Sequence, residues 1–122
     1  MSGAIENFVA VAFEGSEAEL RRLLPGIKDV NAANAQGFTA LFNAADSGDL
    51  SKVKLLVGNG AAVNISNSTR LGDTPLNVAA FRGHERVVSY LIDQGAHVDK
   101  ARKDGSTPLF MASQEGLSLI HI

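Results

Sequence analysis

Three histidines, scattered carboxylates, one glycine pair and two asparagine triplets are the residues of this chain whose types could do chemistry. His84, a lone imidazole after Gly83, has the form of a general base; His97 stands just past Gly95, and His121 is the penultimate residue. A metal site needs a second ligand at close spacing, and a paired-acid mechanism needs two carboxylates held together. Neither pattern occurs, because the carboxylates are spread over separate segments. "GNG" at residues 58–60 has two glycines of a phosphate cradle, but it follows a helical stretch instead of a strand and lacks the third, so it reads as a helix cap. Asn64-Ile65-Ser66 and Asn67-Ser68-Thr69 fit the N-glycosylation pattern, which has meaning only in a secreted protein. Ser66, Ser68 and Thr69 are also candidate phosphate acceptors on a polar tip. The expectation is a non-enzymatic chain with no catalytic residue, no metal and no cofactor.

Composition narrows the partners. The chain has 122 residues, 45% hydrophobic and 20% charged, which suits one domain with a modest core. A formal charge of -2 gives no general attraction to phosphate backbones or anionic lipid. There is no cysteine, and so no disulfide framework and no thiolate ligand. No apolar run reaches membrane-spanning length, and "MSGAIENFVAVAFEGSE" lacks the basic start of a secretory signal, so the expected location is cytoplasmic, away from membranes.

What must position these side chains is a repeated element. "GFTALFNAA" at 37–45, "GDTPLNVAA" at 72–80 and "GSTPLFMAS" at 105–113 are one phrase written three times, at spacings of 35 and 33. A glycine follows each small pair at Gly48, Gly83 and Gly116, and Gly15 extends the series backwards behind Val11-Ala12. Gly60 and Gly95 close the two complete units, so nine of the twelve glycines fall on three positions of one grid.

Within the third unit, "TPLNVAAFRG" predicts a short helix with Thr74 as N-cap, Pro75 at its first position and Gly83 at its end. "HERVVSYLIDQG" predicts a second, its buried stripe formed by Val87, Val88, Leu91 and Ile92. The matching stripes are Val53, Leu56 and Val57 in the second unit and Leu20, Leu23 and Leu24 in the first. Polar segments such as "VNAANAQG" suit hairpin-like extensions between the pairs. One helix pair cannot bury its own stripe, so the shared grammar lets each unit bury the next one's. The small pairs Ala44-Ala45, Ala79-Ala80 and Ala112-Ser113 admit close helix approach, and Leu41, Leu76 or Leu109 fills the space between units.

The third unit, "G-x-TPL-x-x-AA-x-x-GH-x-x-VV-x-x-L-I-x-x-GA-x-V", resembles the ankyrin repeat nearly position for position. The fourth resembles it through "DGSTPLFMASQEG", the second through 37–64, and the first only loosely. The resemblance implies an all-α solenoid of about three and a half repeats, with projecting β-hairpin fingers and a concave protein-binding face. The domain would run over 1–116, in units of about 1–33, 34–68, 69–101 and a truncated 102–116. In that pattern His84 has a structural role, packing and hydrogen-bonding at the turn between paired helices, and His97 is solvated.

Some positions depart from the pattern. The histidine usual after "TPL", which bonds the capping threonine of the same or next unit, is here Phe42, Asn77 or Phe110. Asn77 is expected to keep a polar bond that the phenylalanines cannot make. Ala40 replaces the usual proline, and "VNISNSTRLG" is two residues longer than "VDKARKDG", which lengthens the second finger. The last unit breaks off at "GLSLIHI"; residues 117–122 are what the DNA CTGTCTCTTATACACATC encodes, and that DNA resembles a transposon end used to prepare sequencing libraries. The tail is therefore expected to be non-native read-through, with further repeats beyond Gly116 in the native chain, which would be monomeric when capped.

Binding falls to the positions that stacking leaves free, at finger tips and the outward turn of each first helix. These are Ala35, Gln36, Phe38, Asp46 and Ser47; then Arg70, Leu71, Asp73, Phe81 and Arg82; then Lys103, Asp104, Ser106, Gln114 and Glu115. Phe38, Leu71 and Phe81 are large apolar residues at such positions, and Phe81 beside Arg82 has the composition of an interface anchor. The expected function is non-catalytic binding of another protein. Its rivals are a substrate-recruiting domain of a larger enzyme and a nucleic-acid binder using Arg70, Arg82 and Lys103, which the overall acidity disfavours.

Overall fold

The computed structural model describes residues 2–67, 72–98 and 103–105. The fourth unit beyond residue 105 and the suspected tail at 117–122 lie outside them. Among the described residues, six helices form three consecutive pairs: α1 (Ser2–Glu14) with α2 (Glu17–Leu23), α3 (Ala40–Ser47) with α4 (Leu50–Gly58), and α5 (Pro75–Arg82) with α6 (Glu85–Asp93). A 3-10 turn, Leu24–Gly26, continues α2, and there is no strand among the described residues.

Local chemistry sets the ends of each helix. The Thr39 and Thr74 hydroxyls accept from the backbone N–H of Phe42 and Asn77 at 3.2 and 3.1 Å, so the shared threonine caps both first helices. Ser16 and Glu19 form a reciprocal capping box at α2, and the Ser16 backbone N–H holds the Glu19 carboxyl below its ordinary pKa. After α4 and α6 the chain turns by one motif: Gly60 and Gly95 take φ of +94° and +93°. The following amides, of Ala61 and Ala96, reach back to Leu56 and Leu91 carbonyls at 3.0 and 2.9 Å.

The first helices pack side by side, α1 on α3 and α3 on α5, and the second helices form a parallel layer, α2 on α4 and α4 on α6. Phe8, Leu20, Leu41, Val53, Leu56, Leu76, Val87, Val88 and Leu91 are buried in one continuous core between the layers. Val87 and Leu91, at 1% and 0% exposure, face neighbouring helices and not water, as the stripe predicts. Leu23, Leu24, Val57 and Ile92 are only partly buried at its margin. Each fully buried Leu or Val contributes roughly 1.5–3 kcal/mol, so the stack is held mainly by these contacts.

Polar joints between pairs add register. Lys52 on α4 is 2% exposed, and its Nζ donates to the carbonyls of Gly15, Phe13 and Val11 at 2.8, 3.2 and 3.5 Å, closing the C-terminus of α1. Asn31 donates to the Gly60 carbonyl and accepts from the Ala62 amide. Asn64 repeats both bonds one unit later, with the Gly95 carbonyl and the His97 amide. These asparagines are clamps between units, a role their sequence neighbourhood does not announce.

The fingers close on asparagine as well. The Asn34 amide donates to the Phe38 carbonyl and the Phe38 amide donates back to Asn34 Oδ1; Asn67 and Asp73 pair in the same way, with three residues between the partners in the first case and five in the second. The two extra residues of the second finger therefore lie in sequence between Asn67 and Asp73, and the closing pair itself is the same in both fingers.

Asn77 does not keep the polar bond expected of it. It is 0% exposed, and neither amide atom has a hydrogen-bond partner among the described residues. The Thr74 hydroxyl accepts from the backbone N–H of Asn77, and the Asn77 side chain does not bond back to it. An orphaned buried amide costs about 1–3 kcal/mol of desolvation, so Asn77→Val, an apolar side chain of comparable size, is expected to raise stability by about 1–2 kcal/mol in urea unfolding. A loss of stability in that experiment would mean the amide is satisfied in solution.

Candidate functional site

The residues with chemical potential are engaged in building the frame. His84 Nε2 lies 2.9 Å from the Asp46 carbonyl, and its ring packs on Gly48 so closely that a Cβ there would stand 2.6 Å from Cε1 and Nδ1. This is the structural role expected of it. His97 is exposed, with its backbone N–H on Asn64. The Asn64 side chain is committed to the next unit, and Asn67, 7% exposed, accepts from the Asp73 amide, so both acceptor triplets have their asparagine bound into the fold. Among the described residues, no three His, Asp or Glu converge at metal-binding distance, and no helix is long and apolar enough to cross a membrane.

The positions left over by stacking gather on the first-helix face. Phe81 is 46% exposed at the end of α5, with the Arg82 guanidinium 5.4 Å from its ring centroid. Arg82 Nε also donates to Asp46 Oδ1 at 2.8 Å across the α3–α5 joint. Phe38 is half buried: its ring stacks on Phe42 at 5.2 Å and 18°, so much of its apolar area is already spent on its own unit. Together Phe38, Phe42, Asp46, Asp73, Val78 and Phe81 line a hollow of about 330 Å³. Gln36, Lys103 and Asp104 are exposed at the finger side, the Lys103 stem running beside Gly72. Arg70, Leu71, Ser106, Gln114 and Glu115 fall outside the described residues.

A second hollow of about 500 Å³ continues from the first, sharing Phe38 and Asp46 and adding Glu6, Phe13, Glu14 and Asn34. Phe13 is 47% exposed. Sequence reasoning missed these α1 residues because the first unit matches the repeat loosely. The signal was nonetheless present: Phe13 stands two residues before Gly15, as Phe81 does before Gly83. On the opposite side, between α4 and α6, lies a larger hollow of about 780 Å³ whose wall mixes Lys54 and Arg86 with Glu85 and Asp93 and favours neither sign of charge.

A family model described as ankyrin repeats, three copies, matches residues 43–121. The ankyrin repeat-containing protein ITN1 of Arabidopsis thaliana is 39% identical over 84 residues, covering 69% of this chain and 13% of its own length. A transient receptor potential cation channel subfamily A member 1 homolog of Caenorhabditis elegans is 35% identical over 103 residues, covering 84% of this chain and 8% of that protein. The Notch-regulated ankyrin repeat-containing protein A of Danio rerio is 38% identical over 93 residues, covering 73% of this chain and 81% of its own length. The chain thus spans a small fraction of the plant and worm proteins and most of the fish one.

Proposed function

The chain belongs to the ankyrin-repeat family, whose members are in general protein-interaction modules, and from that premise we propose that it binds a partner protein through its first-helix face and finger tips. The observation that carries this reading is Phe81. It is a large apolar ring left 46% exposed beside an arginine, over a hollow, on a frame whose other aromatic and aliphatic groups are mostly put away. Aromatic and arginine side chains at the centre of such a surface supply most of an interface's binding energy. Phosphate backbones are disfavoured as partners, because the same face carries Glu6, Glu14, Asp46 and Asp73 and the guanidinium of Arg82 is paired with Asp46. The role is non-catalytic, and in longer proteins it amounts to recruitment.

The test is a pull-down with the full chain followed by titration of the isolated partner. Phe81→Ala is expected to weaken binding by about 2 kcal/mol or more while thermal unfolding stays unchanged. Equal affinity for the two proteins would remove Phe81 from the interface.

A further inference from the structure

Resting on that protein-binding reading, we infer that the partner segment presents a lysine or arginine next to a large apolar side chain. The basic group sits among Glu6, Glu14 and Asp46, and the apolar one lies on Phe13 and Phe38. The hollow on the α1 side has both features this requires. Its wall holds Phe13, 47% exposed, and the accessible edge of Phe38. Its rim holds three carboxylates from two helices. Glu14 makes no hydrogen bond or ion pair among the described residues. Glu6 spends one oxygen, Oε2, on the Ala35 amide at 2.7 Å, and Asp46 spends Oδ1 on Arg82, so each keeps its second oxygen for an incoming donor.

Two nearby cations bear on the sign of the site, and neither cancels it. Arg82 is held on the far side of Asp46 against Phe81, and Lys52 is buried with its ammonium on the α1 carbonyls. A cation entering here keeps its aliphatic stem on the rings while its charge meets acceptors that already have fixed positions. An acidic segment would meet the same carboxylates as like charges, which penalises the wrong partner. A volume of about 500 Å³ is within the usual range of ligand clefts and leaves room for a basic and a large apolar side chain together.

The experiment selects phage-displayed random dodecapeptides on the full chain and measures the enriched peptides by fluorescence anisotropy against wild type, Glu14→Lys, Phe13→Ala and Phe81→Ala. Glu14 is an exposed surface residue, and circular dichroism verifies that each variant is folded. Enriched peptides are expected to share a basic residue beside a large apolar one and to lose about tenfold or more in affinity on Glu14→Lys and on Phe13→Ala. Changing the peptide's basic residue to glutamate should restore binding to the Glu14→Lys protein, a swap that a purely structural effect would not produce. Peptides without a basic residue that bind Glu14→Lys as well as wild type, yet are lost on Phe81→Ala, overturn this inference and leave the protein-binding face intact. Peptides indifferent to all three substitutions overturn both.

Discussion

Lys52→Met is expected to cost about 2–3 kcal/mol of folding stability, although it keeps the length and apolar stem of the side chain. The loss arises at the other end of the joint. At the C-terminus of α1 the carbonyls of Phe13 and Gly15 receive Nζ of Lys52 in place of the amides that a continuing helix would supply, and the Val11 carbonyl, already bonded to the Gly15 amide, takes a longer third contact. Methionine leaves them without that donor, and hydrogen bonds to a charged group are the stronger class. Urea unfolding of the two proteins measures the difference, and equal midpoints would mean that water serves these carbonyls equally well.

The same residue gives a pH dependence with a definite sign. Burial pushes the Lys52 ammonium below the ordinary lysine value of 10.5, opposed in part by the carboxylates of Asp49 and Glu19. The unfolded chain therefore holds this proton more tightly than the folded one. The contribution of Lys52 to stability is lowest below its folded pKa and grows as pH rises from there towards 10.5. The deficit of Lys52→Met should accordingly widen as pH rises towards 10.5. A deficit that narrows would contradict the direction of the shift.

Gly48→Ala is expected to be at least as damaging, at about 3 kcal/mol, through two additive causes. The residue has φ of +80°, where a side chain costs roughly 1–2 kcal/mol. Its new Cβ would also stand 2.6 Å from the His84 ring, which must then move and give up its contact with the Asp46 carbonyl. A double-mutant cycle separates the two: in a His84→Ala background, Gly48→Ala should cost only the backbone part. Full additivity of the two substitutions would show that the ring yields without penalty.

The helices were legible in the sequence because their determinants are local. Thr39, Thr74, Pro75 and the closing glycines act within one turn of where they stand, and the stripe of Val87, Val88 and Leu91 follows from helical period alone. What escaped was determined across units. Lys52, set between Ser51 and Val53, reads as an ordinary surface charge until its partners 37 to 41 residues earlier are in place. Asn31 and Asn64 read as turn formers, and their bonds likewise run about one repeat ahead.

On the candidate site, the exposure of Phe81 and Arg82 was legible by exclusion, since the grid leaves their positions unused. The partial burial of Phe38 was not, although a signal for it existed. It precedes the N-cap Thr39 and stacks on Phe42 in the first turn, one position short of the contact a hydrophobic staple makes. Asn77 has the polarity for a bond, and the structure buries its amide without one. Phe13 needed only the grid applied to a unit whose other residues match poorly.

The clamps between units have a consequence for how such a molecule changes over generations. Asn31 and Asn64 address a carbonyl and an amide, Lys52 three carbonyls. Those are atoms that nearly every amino acid brings, whatever its side chain. A fastening of this kind is blind to the identity of the segment it grips, so modules can be duplicated, exchanged or reordered without redesigning their seams, and mutation is left at liberty to rewrite the outer surface.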